Sequence, residues 1–316
     1  MANATIPIEE PIVHESTGAR RLKLNKELRN RWIPRFLLVV LGFFYFLPLY
    51  WMVVNALKSN AELGVYPPTW YPHDPQWSNF SKAVDVFPFW TYLKNTTIIT
   101  VLTVAGVALT TPMVAYGFSR IQWPGRDKIF YLVLATVFVP YPALIVALFD
   151  IFVRLGSVNF PPPFEFLGGT WINTFKPLVV PYFFCFLPAP FWIFLLRQFF
   201  MQIPQELSDA ARLDGAGELR ILFQVIMPQS WPALVAVSLF GALQAWNDFL
   251  GPLLYLQDPK KYTLSVGLTF FTSQASHDIK FNLLMAASTL VILPVVVLFL
   301  SFQRTFVEGV TVGAFK

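Results

Sequence analysis

Ile203-Pro204-Gln205-Glu206-Leu207-Ser208-Asp209-Ala210-Ala211-Arg212-Leu213-Asp214-Gly215-Ala216, with the run Glu218–Met227 and Pro228 close behind, is the most informative stretch of this 316-residue chain. Pro204 suits a first helical position, and Gly215 suits the position just past a helix end. Leu207, Ala210, Ala211 and Asp214 recur at i, i+3, i+4 and i+7, so they share one helical face, which the two alanines leave nearly flat. The second run is apolar at helical spacing through Leu219, Leu222, Phe223 and Ile226, and Pro228 stops it. Two short helices meeting at a glycine make a knob that another protein can grip. A pair of amphipathic helices lying on lipid headgroups is the other reading of the same residues.

Outward from this loop the chain turns apolar on both sides. Hydrophobic residues make up 55% of it, charged residues only 13%, and the mean hydropathy is +0.55. A soluble domain carries about 25% charged residues, so disorder and an ordinary soluble enzyme are both excluded. A helix needs about 20 apolar residues to cross the hydrocarbon core. Six segments meet that length: Phe36–Ala56, Ile98–Phe118, Ile129–Phe149, Leu178–Leu196, Trp231–Leu254 and Leu283–Phe302. The expected fold is an all-α integral membrane protein with six transmembrane helices. The first thirty residues are polar and lack a signal-peptide pattern, so the first span is read as a membrane helix.

Lysine and arginine set the orientation, because cytoplasmic loops are enriched in them. Fifteen fall on the side shared by both termini and eight on the other, with the largest block just before the first span. Both termini are therefore expected in the cytoplasm. The expected organisation is a basic cytoplasmic segment over 1–32, a six-helix transmembrane domain over 33–304, and a cytoplasmic tail over 305–316. The net charge of +5 is dispersed in short blocks between apolar runs, which does not suit nucleic acid. His14, His73 and His277 lack metal-ligand spacing and read as loop or surface side chains, and the single Cys185 allows no intrachain disulfide.

The spacing of the cytoplasmic loop closely resembles the EAA loop of ABC-importer permeases. Asp209-Ala210-Ala211, then Gly215, then nine residues, then Val225-x-Met227-Pro228 matches that family's Glu-Ala-Ala-x-x-x-Gly, nine residues, Ile-x-Leu-Pro at every anchor. Asp209 replaces the usual Glu, one methylene shorter, and Glu206 one turn earlier is placed to share its role. Asn55-Ala56-Leu57-Lys58-Ser59, Trp246-Asn247-Asp248-Phe249-Leu250 and Val307-Glu308-Gly309 look like the carbohydrate branch, on the maltose-permease G-subunit side. The resemblance implies a type I ABC importer permease fold and a division of labour. A solute-binding protein delivers a sugar, oligosaccharide or polyol to two permease subunits, expected as a heterodimer. Two cytoplasmic ABC ATPase subunits each grip an EAA loop. Glu206, Asp209, Ala210, Ala211, Arg212, Asp214, Gly215 and Pro228 are then the coupling residues, and Glu308 and Gly309 a tail contact. No cofactor is expected on this chain. ATP and Mg belong to the ATPase subunits, and no Gly-x-x-x-x-Gly-Lys-[Ser/Thr] loop occurs here.

Inside the spans one polar pair stands out, Asn247-Asp248, read either as part of a translocation pathway or as a cap where the helix breaks before Gly251-Pro252. Pro181, Pro188 and Pro190 are expected to kink the fourth span. An ion-coupled secondary transporter, the alternative function, calls for several intramembrane carboxylates or matching broken halves. An embedded enzyme calls for a nucleophile–base or metal constellation. The sequence offers neither set.

Overall fold

The computed structural model describes residues 28–185, 189–273 and 280–311. Every regular element among them is helical. His14, the basic residues Arg20–Lys26, Pro188, His277 and Lys316 lie outside the described residues. The chain divides into two compact units, one reaching to Val54 and one beginning at Asn55. In the first unit the described residues belong almost wholly to helix α1, Ile33–Ala56. Phe36, Leu38, Val39, Phe43 and Phe44 are all exposed on it. A helix this apolar on every side is stable only where its solvent is lipid.

The second unit is organised around α2, Phe89–Ser119, a 31-residue helix. After it come α3, Arg126–Ala135, α4, Tyr141–Leu155, α5, Lys176–Phe183, and α6, Ala189–Gln202. The loop helices are α7, Gln205–Leu213, and α8, Glu218–Ile221. They lead into α9, Trp231–Asn247, α10, Leu250–Tyr255, and α11, Phe281–Thr311. Helix α2 packs against α5, α6 and α9, and α9 packs in turn against α11. Thr103, Thr111 and Ala115 are fully buried on α2. Small side chains let helix backbones approach closely where lipid supplies no hydrophobic drive for association.

Three helical stretches are long and apolar enough to cross a membrane, Arg29–Ala56, Phe89–Ser119 and Phe281–Val307, and up to five if each of two bent pairs counts as one span. The expected segments Ile98–Phe118 and Leu283–Phe302 are thus the middles of longer helices. Ile129–Phe149, read as one span, is broken: Arg126–Phe138 and Tyr141–Leu155 diverge by 102°. Pro140 and Pro142 both lack an amide donor, and Val139 before the first is extended, so the helical ladder cannot continue. The expected Leu178–Leu196 span is divided into α5 and α6, with Pro181 inside the former and Pro190 near the start of the latter. The Trp231–Leu254 segment breaks after Asn247. Helix α11 continues without interruption past the expected boundary between 304 and 305, to Thr311.

Three apolar clusters fill the second unit. One joins Tyr116 and Phe118 of α2 to Trp192, Leu196 and Phe200 of α6 and to Ile221, Leu222 and Ile226 of the loop. Trp192, Phe199 and Phe200 of α6 are therefore core. A second cluster gathers Phe87, Phe89 and Tyr92 against Leu264, Leu283 and Ala286. The third sets Phe152 and Trp171 beside Tyr255 and Leu178.

Candidate functional site

Helix α7 begins after Pro204, which takes the extended cap position (φ −54°, ψ 136°) and not the first helical one. It ends in a Schellman motif. The Ala216 amide donates to Ala211 O at 2.9 Å and the Gly215 amide to Arg212 O at 3.0 Å. Gly215 sits at φ +80°, in the left-handed region where a side chain is strained. A Cβ there meets nothing within 4 Å, so the glycine is required by backbone conformation and not by space.

The loop's charges are arranged around one guanidinium. Arg212 Nη1 donates to Asp209 Oδ1 at 2.8 Å, and its Nε and Nη2 donate to Glu218 Oε1 and Oε2 at 2.9 and 3.2 Å. Arg212 thereby staples the end of α7 to the start of α8. The Glu218 hydrogen bonds, with Asp209 in support, raise its pKa and keep it charged. Glu206 and Asp214 are exposed.

The apolar residues of the loop divide into two sets. Ile221, Leu222 and Ile226 are buried in the core, whereas Leu219 and Phe223, expected on the same face, are exposed. Leu207 and Ala210 are exposed and Ala211 is half-buried. Leu213 is 90% exposed, so the tip of the knob is an uncovered leucine. Pro228 does not stop the second helix. The helix passes through a π-turn at Leu222–Ile226, where the Met227 amide bonds Leu222 O, and runs on to Gln229. Pro228 has no amide to offer the preceding turn, which favours this widened register. The real corner is the buried Ser230, where Glu218–Gln229 and Trp231–Asn247 meet at 89°.

Tyr116 of α2 and Arg120, the residue that caps its end, complete the site. The Tyr116 hydroxyl donates to Glu218 Oε2. Arg120, 5% exposed, donates through Nη2 to the carbonyls of Phe200 and, at 2.6 Å, Ile203, and through Nη1 to Gln205 Oε1 at 2.8 Å. It thus caps the C-terminal end of α6 at the entry to the loop, where carbonyls lack helical partners. Neither residue was a sequence candidate, and Arg120 entered only as a topological charge. The available signal was a tyrosine and an arginine four apart, on one face at the very end of an apolar span.

Asn247 is the last residue of α9, and its Nδ2 donates to Leu243 O at 2.8 Å. Asp248 follows in extended conformation, and its Oδ1 accepts the Gly251 amide at 3.1 Å. The break therefore falls at Asp248-Phe249, and Gly251-Pro252 lies inside α10. Asp248 also lines a cavity of about 340 Å³ with Tyr141, Tyr182, Gln244 and Tyr255. A second, more open cavity of about 510 Å³ shares Tyr141, Gln244 and Asp248 and adds Asn247.

At the other end of the chain, Gly309 is buried within α11, and a Cβ there would collide with the Pro232 carbonyl. Gly309 thus seats α11 against the start of α9. The Glu308 side chain lies outside the described residues. His73 is an exposed loop residue whose Nδ1 lies 2.9 Å from Glu62 Oε1.

A family model described as "binding-protein-dependent transport system inner membrane component" matches residues 108–312. The chain belongs to that family: it is the membrane-embedded permease component of a binding-protein-dependent importer, and not an enzyme. It is 31% identical over 296 residues to the trehalose/maltose transport system permease protein MalG of Thermococcus litoralis, covering 92% of this chain and 99% of the relative. It is 30% identical to the diacetylchitobiose uptake system permease protein NgcG of Streptomyces coelicolor, covering 94% and 92%. With the arabinooligosaccharides transport system permease protein AraQ of Halalkalibacterium halodurans it shares 29%, covering 90% and 96%. The fold is similar to that of a bacterial ABC transporter involved in the import of the acidic polysaccharide alginate, with a TM-score of 0.68 at 20% identity over 92% of this chain and 99% of that one. These relatives give no support to an ion-coupled transporter.

Proposed function

We propose that the chain is one of two permease subunits of a bacterial inner-membrane carbohydrate importer, and that the loop from Ile203 to Ser230 is where an ATPase subunit docks. Six crossings follow if Lys176–Gln202 counts as one with the two bent pairs and the three continuous helices, and both termini then lie in the cytoplasm. A solute-binding protein delivers the sugar from the opposite face, and closure of the two ATPase subunits on ATP drives alternating access. The observation that carries this reading is the uncovered Leu213 at the tip of a helix whose base is fixed to α2. An exposed apolar tip on a rigid mount is a docking element. Ala210 and Ala211 form its flat flank, Gly215 its turn, and the Asp209–Arg212–Glu218 cluster, with Glu206 and Asp214 nearby, its polar rim. Pro228 shapes the second helix, Asn247 and Asp248 line the solute pathway, and the Glu308-Gly309 end of α11 reaches the same ATPase subunit. A second permease subunit of different sequence completes the translocation cavity.

Ala211→Arg and Gly215→Pro test the docking assignment in the assembled importer. Each variant is expected to reach the membrane, Gly215→Pro at some cost in stability because proline cannot adopt φ +80°, and to abolish solute-dependent ATP turnover and uptake together. Normal uptake by either one sinks the assignment.

A further inference from the structure

The two cavities beside the α9–α10 break share Tyr141, Gln244 and Asp248, which places these three residues on the wall common to both. The remaining polar side chains are Thr136, Tyr182 and Tyr255 in the first cavity and Asn247 in the second. Neither cavity is lined by a lysine or arginine, and the one ionisable acid is the Asp248 carboxyl. Its Oδ1 is engaged by the Gly251 amide, which fixes the carboxyl in place. The buried Tyr255 hydroxyl faces that of Tyr141 without a hydrogen bond of full geometry. Phenol, amide and carboxyl groups set among aromatic rings offer acceptors and donors to hydroxyls, and flat faces to the C–H surface of a pyranose. An anionic sugar brought here meets a fixed acid and no lysine or arginine of this subunit, and like charges at close range oppose binding.

We infer that this subunit carries a solute subsite of its own, built on Asp248, Gln244 and Tyr141, which accepts uncharged, hydroxyl-rich sugars and rejects uronate, sulfonate and phosphate sugars. The inference rests on the reading that Asn247 and Asp248 line the solute pathway, and its test separates the two.

In the complete importer carrying Cys185→Ser, Asn247→Cys is treated with a bulky thiol reagent. Loss of uptake after labelling supports the pathway reading, and unaffected uptake overturns both it and the subsite. Direct binding to the purified complete transporter in nanodiscs is then titrated with glucose, maltose, maltotriose, arabinotriose and diacetylchitobiose, and with trigalacturonate. At least one neutral probe is expected to bind and trigalacturonate to show no binding. Asp248→Asn keeps an oxygen acceptor for the Gly251 amide, and it should weaken the neutral probe about tenfold, the loss expected for a hydrogen bond to a charged group. Gln244→Ala should weaken it in the same direction. Binding of trigalacturonate by the unsubstituted transporter overturns the subsite while leaving the pathway standing. So does binding of no neutral probe, or neutral-probe affinity unchanged in both variants.

Discussion

The two ends of α2 are held by the same kind of chemistry to opposite effect. At its Phe89 end, Asn95 Nδ2 donates to the Lys260 and Tyr262 carbonyls at 2.9 and 3.0 Å, and Thr96 Oγ1 accepts the Leu264 amide at 2.9 Å. Around this end the loops are stitched to one another as well. Lys261 Nζ donates to Asn173 O, Asn173 Oδ1 accepts the Gln257 and Asp258 amides, and the buried Lys58 donates to Asn55 Oδ1 and Thr69 O. At the Ser119 end, the ties from α2 to the loop are those of Tyr116 and Arg120, and beyond them the apolar tip of the loop is open. One end is closed on itself, whereas the other is anchored at its base and unfinished at its tip. A surface completed only by a partner is what a docking element requires, and a surface with its backbone groups already satisfied is what a fixed frame requires.

The comparison breaks most sharply at the two buried cations. Arg120→Met leaves two carbonyls and Gln205 without their partner in a buried site, and should destabilise the protein by about 3 kcal/mol. Thermal unfolding in detergent measures this, and limited proteolysis should show new cleavage between residues 203 and 230. Lys58→Met removes the corresponding cation at the far end and should lower stability by about 2 kcal/mol while leaving that loop resistant to protease. If Lys58→Met also opened the 203–230 loop, the two ends would not be independent. Gly215→Ala places a side chain at φ +80° and should lower stability by about 1 kcal/mol, with a larger fractional loss of coupled ATP turnover than of thermal stability. Tyr116→Phe deletes one tie and should cost about 1 kcal/mol, read in the same unfolding assay. The smallest effect belongs to Asp209→Asn: its pair with Arg212 is largely exposed and is expected to contribute roughly 0.5 kcal/mol or less, vanishing at high salt.

The 203–230 loop was legible because its determinants are local. Gly215 and the alanine face are set by residues within one or two turns of each other, and the sequence carries them in order. Apolar length located three spans, each as part of a longer helix, but it was blind to direction. Pro140 and Pro142 are only two residues in an otherwise apolar stretch, so a length criterion reads through a 102° corner. Pro228 misled in the opposite sense, because a helix tolerates the missing amide by widening to a π-turn. Arg120 and Tyr116 were illegible as site residues because their partners lie 80 to 102 positions away, and only the packing of α2 against α6 brings them together. Asp248 was legible as a cap, and its place on a cavity wall depends on Tyr141 and Gln244 arriving from other elements.

The corner at Ser230 makes the loop and its membrane helix a bell crank. Its short arm, Glu218–Gln229, is about 18 Å long and its long arm, Trp231–Asn247, about 25 Å, at 1.5 Å per residue. With the arms at 89°, a push at right angles to the short arm turns both arms about the corner and carries the far end of the long arm along the direction of the short one. Rotation about the corner therefore sweeps the far end, where Asn247 and Asp248 sit, through a wider arc than the end that is pushed. With arms of this ratio, a displacement of 3 Å at the Glu218 end becomes about 4 Å beside the cavity.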